Sequence, residues 1–111
     1  MNNVITHPWG TELIFAKTDE YDGKINVFEK AESVTPFIIY KERDSTWFIN
    51  TGRFQLTLID PKTGKIINKE LKEGDVFRCE PMVPHQMKNI VPNSSYTEVG
   101  NTKDEKTYLS E

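Results

Sequence analysis

The sequence predicts an all-β chain, a single jelly-roll barrel of eight short strands, on three observations. Turn signals recur at roughly the 8–12 residue spacing of a sandwich or barrel. Phe54, Leu56 and Leu58 alternate with Gln55 and Thr57, a period of two that turns one apolar face to a core. No stretch calls for a long helix, and no repeat, low-complexity tract or charge block divides the 111 residues, a length that suits one compact domain.

In chain order, residues 1–22 form an N-terminal edge segment. Its 10–21 stretch begins as an extended strand with Leu13 and Phe15 on one face and covers one mouth of the barrel. The barrel occupies 23–101, with strands at 24–30, 34–40, 46–50, 53–60, 66–72, 75–79, 85–89 and 96–100. Pro61-Lys62-Thr63-Gly64 reads as a hairpin turn, because Pro presets φ and Gly admits a left-handed residue. Glu73-Gly74-Asp75 and Pro92-Asn93-Ser94-Ser95 supply two more turns. The polar tail at 102–111 is expected to fray.

Composition narrows the function classes. A hydrophobic share of 36% is ordinary for a small β-rich domain, and 11% aromatics is too aromatic for a disordered chain. A net charge of −3 leaves no basic surface to neutralise phosphates, so neither nucleic acid nor an anionic membrane is an expected partner. No apolar run is long enough to cross a bilayer, and the first residues, MNNVITHPWG, lack the basic and apolar regions of a secretory signal, so a cytoplasmic location is expected. Cys79 is the single cysteine and reads as a small buried strand residue rather than a reactive thiol.

Two segments carry a resemblance. The run from Gly74 through Asp75, Val76, Phe77, Arg78, Cys79, Glu80, Pro81, Met82, Val83 and Pro84 to His85, followed by Asn89, resembles the second motif of the cupin superfamily. The run from Tyr40 through Arg43, Asp44, Ser45, Trp47 and Asn50 to Gly52 resembles the first. His7-Pro8-Trp9-Gly10, Glu12 to Thr18 and Tyr21-Asp22-Gly23-Lys24-Ile25 are similar to small single-domain cupins related to the phosphomannose isomerase domain of bifunctional, type II mannose-1-phosphate guanylyltransferases. The resemblance implies a double-stranded β-helix and, in the family, metal-dependent aldose–ketose isomerisation of phosphorylated or nucleotide-linked sugars.

Carried over residue by residue, the family's metal ligands fall on Ile38, Tyr40, Ser45 and His85, so three of the four are replaced. A tight Zn²⁺ or Mn²⁺ site needs about three or four converging donors, and one histidine cannot supply them. The metal site therefore reads as degenerate, and no metal or other cofactor is expected. Asp44 is a substitute carboxylate one position early, and a one-residue shift turns its side chain to the opposite face.

The remaining positions yield candidate site residues, each with a plainer alternative. His85 and Tyr40 form a candidate acid/base pair; otherwise His85 hydrogen-bonds Tyr40 or water. Lys41 and Arg43, in the turn at the barrel mouth, are candidate phosphate ligands; otherwise they pair with Glu42 and Asp44 in solvent. Trp47 and Met87, with Ile38 and Ser45, are candidate pocket residues, although Trp47, Phe48, Phe54 and Met87 are also what a core requires. His7 reads as exposed or edge-packed.

These readings favour a metal-free cupin that binds a small polar ligand, such as a sugar phosphate or nucleotide sugar, with reduced or no catalysis. The alternative is a sugar isomerase or epimerase, mannose-6-phosphate isomerase-like, using His85 and Tyr40. A third reading keeps a divalent metal on Tyr40, Asp44 and His85 and needs a rebuilt turn. The expected partners are a carbohydrate-type ligand and a second copy of the chain in a homodimer.

Overall fold

The chain is described by a computed structural model covering residues 3–109; Met1, Asn2, Ser110 and Glu111, which belong to the predicted edge segment and tail, lie outside the described residues. The described residues form eleven strands and no helix: β1 (Val4–His7), β2 (Gly10–Lys17), β3 (Asp22–Phe28), β4 (Ile38–Tyr40), β5 (Ser45–Thr51), β6 (Arg53–Ile59), β7 (Ile66–Lys72), β8 (Val76–Cys79), β9 (His85–Asn89), β10 (Ser94–Gly100) and β11 (Lys106–Tyr108). They make two antiparallel sheets, ordered β1-β2-β3-β10-β5-β8 and β11-β4-β9-β6-β7. Among the described residues no helix is long and apolar enough to cross a membrane.

The period-two pattern explains how the sheets face each other. On β6, Phe54, Leu56 and Leu58 are buried while Arg53 and Gln55 are exposed. On β5, Ser45, Trp47 and Ile49 turn inward and Phe48 outward. These side chains meet Phe28, Met87 and Tyr96 in one core between the sheets. Burying each large apolar side chain contributes roughly 1.5–3 kcal/mol. Phe28, Phe54 and Tyr96 add edge and stacked ring contacts at 5.0–6.0 Å.

Turn chemistry fixes the register. The Asp75 N–H donates to the Lys72 carbonyl at 2.9 Å and closes the β7–β8 turn, and Gly74, at φ +90°, ties that turn to β5 by donating its N–H to the Ile49 carbonyl at 2.9 Å. Gly52, at φ +82°, joins β5 to β6 so tightly that a Cβ there would lie 1.9 Å from Ser94 Oγ. At the β6–β7 hairpin, Asp60 Oδ1 accepts the Lys62 N–H at 2.8 Å.

Three expectations need correction. Of the predicted 34–40 strand only β4 is continuous, and Val34 makes an isolated bridge to Lys88. Pro36, which has no N–H to give a ladder, accounts for the break. Residues 10–21 do not simply cap the mouth: β2 pairs with β1 on one side and β3 on the other, and the hairpin becomes part of the sheet. The tail does not fray throughout, since β11 pairs with β4, Lys106 opposite Tyr40 and Tyr108 opposite Ile38. Backbone pairing needs no apolar pattern, which is why β11, exposed along its length, left no signal.

Candidate functional site

Residues of both sheets line a cavity of about 510 Å³. One wall comes from the five-stranded sheet. Here β4 and β9 place Ile38 directly opposite His85 in the ladder, with Tyr40 and Met87 beside them. His85 Nδ1 lies 2.9 Å from the Val83 carbonyl, so it donates there and Nε2 keeps the lone pair. The imidazole stacks on Tyr40 at 5.7 Å and meets the Trp47 ring edge-on at 5.5 Å. Burial lowers the His85 pKa and Lys106 adds to the effect, against the Val83 carbonyl, so the ring is neutral at pH 7. Burial and then the Glu98 carboxylate push the Tyr40 phenol far up, and it stays protonated.

The other wall comes from the six-stranded sheet and is charged. Glu98 on β10 is 5% exposed; it accepts from Asn26 Nδ2 at 3.2 Å and from Arg43 Nε and Nη2 at 3.1 and 2.9 Å. Arg43 also holds Asp22 through both carboxylate oxygens and donates to the Asn101 carbonyl, which occupies all five guanidinium hydrogens. Nearer the rim, Glu12 Oε1 is 2.9 Å from His7 Nε2, and its Oε2 is 3.3 Å from Lys24 Nζ. Burial pushes the Glu12 carboxyl up, but Lys24 and His7 outweigh it and hold it below the ordinary range. His7 stacks on Trp9 at 4.6 Å, and Trp9 on Phe28 at 4.6 Å.

The predicted site residues divide accordingly. Ile38, Tyr40, Trp47, His85 and Met87 come together around the cavity. Arg43 does not sit at the mouth as a phosphate ligand: it is 1% exposed and pinned between Asp22 and Glu98, because its parity in the turn sends it inward. Lys41 is exposed and lies beside a separate hollow with Met82 and Glu105. Ser45 is buried, its Oγ accepting the Trp47 indole N–H at 3.0 Å. Asp44 faces outward to Arg78 at 2.6 and 3.0 Å, as the one-residue shift implies. His85 does not hydrogen-bond Tyr40; the two rings stack. The Cys79 thiol, 2% exposed and pushed up to about 12 by burial and then Glu98, stays protonated as a packing group.

The polar wall was missed. Its signal was in the predicted strands at 24–30 and 96–100, where Lys24 and Asn26 share parity with Phe28, and Glu98 with Tyr96. A charge on a core face requires a buried partner.

The divalent metal that the family resemblance implies does not fit these residues. His85 Nε2 is one nitrogen donor, Ile38 is a hydrocarbon, Tyr40 holds its proton, and the Ser45 hydroxyl is engaged by Trp47. Among the described residues no three His, Cys, Asp or Glu side chains converge.

No protein-family model matches the chain, and no curated protein matches it. Many solved structures do match in fold. KdgF from Halomonas sp. superposes with a TM-score of 0.77 at 18% identity, over 91% of this chain and 86% of that one. Peruvianin-I, a cysteine peptidase from Thevetia peruviana latex, gives 0.80 at 15% identity, over 99% and 72%. A Bacillus subtilis oxalate decarboxylase OxdC mutant gives 0.83 at 14%, over 97% of this chain but 30% of that one. The chain thus spans under a third of the oxalate decarboxylase chain and most of KdgF. At these identities the likeness establishes the fold, a cupin-type double-stranded β-helix.

Proposed function

We propose that this cupin-fold chain binds a small carbohydrate-type ligand in its barrel and that the metal-dependent isomerisation of the family it resembles is reduced or lost. The observation that carries this reading is the 510 Å³ cavity, which sets aromatic rings (Trp9, Tyr40, Trp47) beside carboxylates and amides (Glu12, Asn26, Glu98) while offering no converging metal donors. Rings that pack on sugar C–H faces and acceptors that take sugar hydroxyls are the combination a hydroxylated ligand requires. The N-terminal resemblance to phosphomannose isomerase domains supports a sugar phosphate or nucleotide sugar. With Lys41 outside the cavity and Arg43 saturated, Lys106 on β11 is the lining cation that makes no ion pair among the described residues, and a phosphate would meet it at the rim. A formate complex of Lactobacillus farciminis oxalate decarboxylase and an inhibitor complex of CapF are structures of the same fold with small organic molecules, in keeping with a small ligand here.

The alternative, a metal-free isomerase or epimerase on His85 and Tyr40, has in its favour that both line the cavity and that His85 Nε2 keeps a lone pair. The two readings separate on turnover. Untagged protein is loaded with Mn²⁺, Zn²⁺, Fe²⁺ or Ni²⁺, desalted and analysed for metal, then titrated with mannose 6-phosphate and GDP-mannose by tryptophan fluorescence. Saturable binding without retained metal and with at most weak turnover is expected. Near-stoichiometric metal that disappears in His85→Ala overturns the metal-free reading, and sugar turnover abolished in His85→Ala would favour the enzyme.

A further inference from the structure

The chain has two histidines, and both line the cavity. They differ in what an acid–base group needs. A base that accepts a proton becomes a cation, so it works best beside a carboxylate that fixes its tautomer and stabilises the imidazolium. His85 has no carboxylate within hydrogen-bond reach among the described residues; a backbone carbonyl holds its Nδ1, and Lys106 opposes a second positive charge.

His7 has the carboxylate. Glu12 Oε1, 2.9 Å away, accepts a hydrogen bond from Nε2–H, which leaves the lone pair on Nδ1. The Trp9 ring, 4.6 Å away and tilted by 10°, fixes the imidazole plane, and Trp9 rests in turn on buried Phe28. Lys24 on the second Glu12 oxygen keeps that carboxylate ionised and in place. The His7 side chain is 30% exposed, against 4% for His85 as a residue, so a ligand entering from the mouth reaches it first.

We propose that His7, positioned by Glu12, is the acid–base residue of this cavity and that it moves a proton at the carbon next to the carbonyl of a small hydroxylated ligand such as a ketose. The proposal rests on the carbohydrate-binding reading above. In the step, His7 Nδ1 takes the proton, the C–H bonding pair becomes the C=C of an enediolate, and the carbonyl π pair moves onto oxygen. The phenol of Tyr40, on the facing wall and kept protonated by burial, is the donor available to that oxygen. The imidazolium then returns its proton to C1, restoring the ketose, or to C2, while the Tyr40 phenol gives its proton to O2 and regains one from the O1 hydroxyl as C1=O forms, giving the isomeric aldose with nothing oxidised or reduced overall.

The test uses D-fructose 6-phosphate and D-fructose as probes. Binding is read in H₂O from the Trp9 and Met87 amide shifts of ¹⁵N-labelled protein. Proton transfer is read in D₂O from loss of the C1 proton signals. Expected are amide shifts and C1 deuteration about 100-fold or more above the protein-free rate. His7→Gln falls to near background, and His85→Gln loses less than about tenfold. In Glu12→Gln, deuteration falls about tenfold and the His7 ring ¹⁵N pattern loses its Nε2–H tautomer, a change that a merely structural role would not produce. If His7→Gln fails to fold, His7→Phe keeps the stack on Trp9 and takes its place. Amide shifts without deuteration, or a larger loss in His85→Gln than in His7→Gln, overturns the proposal and leaves the binding reading standing. No amide shift with either probe overturns both.

Discussion

On the five-stranded wall of the cavity, Ile38, Tyr40, His85 and Met87 present rings and hydrocarbon, and the one titratable base among them is held by a backbone carbonyl. On the six-stranded wall, Glu98 is tied to Arg43 and Asp22, which do not line the cavity, in one closed cluster, and His7, Glu12 and Lys24 form another. The strand geometry is the same; the treatment of charge is opposite. Where a polar group stands alone, desolvation decides its protonation, and His85 is held neutral. Where charges come in hydrogen-bonded sets, the partners offset desolvation, as Lys24 and His7 do for the Glu12 carboxylate. The likeness to cupin motifs points to the first wall, whereas the groups equipped to hold a polar ligand lie mainly on the second.

The comparison breaks most sharply at Arg43. Arg43→Met leaves the buried Glu98 and half-buried Asp22 carboxylates without their counter-charge and is expected to lower stability by about 3–5 kcal/mol in urea denaturation. A midpoint close to that of the original protein would mean that the cluster is dispensable. The opposite wall depends on packing: Met87→Ala, at a residue 1% exposed, should cost about 2–5 kcal/mol by the same measurement, through lost contacts and a cavity.

A smaller effect separates the walls by pH. The folded-state pKa of His85 lies below its ordinary value of 6.5, so the unfolded chain binds a proton that the native protein takes up only at lower pH. The resulting stabilisation is complete above pH 6.5 and is lost as pH falls toward the folded value. Glu12 is also held low, but its window opens only below its ordinary 4.5. Stability should therefore fall between pH 7.5 and pH 5.5 and do so less in His85→Gln; identical slopes would mean that burial does not control this imidazole. The smallest effect belongs to the exposed pair from the same turn: Arg78→Ala, which frees Asp44, should leave the denaturation midpoint unchanged within error.

Much of the frame was legible locally. Strands 66–72 and 85–89 match β7 and β9, and the three predicted turns join the elements they were expected to join. At the site, the gathering of Ile38, Tyr40, Trp47, His85 and Met87 followed from motif positions and parity. The misplacement of Arg43 has a plain cause: a basic residue between Glu42 and Asp44 reads as solvated, and nothing near it in sequence reveals its inward partners. The edge strands β1 and β11 were missed because edge strands bury only part of their surface and need little apolar alternation.

By itself the sequence determined which segments extend, which face of each is apolar and where the chain turns, because a period of two and the φ preferences of Gly, Pro and Asn act over a few residues. Only the tertiary structure decided which charges meet. Arg43 and Glu98 are 55 positions apart, Asn26 and Glu98 are 72 apart, and Glu12 reaches Lys24 across neighbouring strands. Such pairings depend on sheet order and register, which hydrogen bonds between distant strands set and no local pattern encodes.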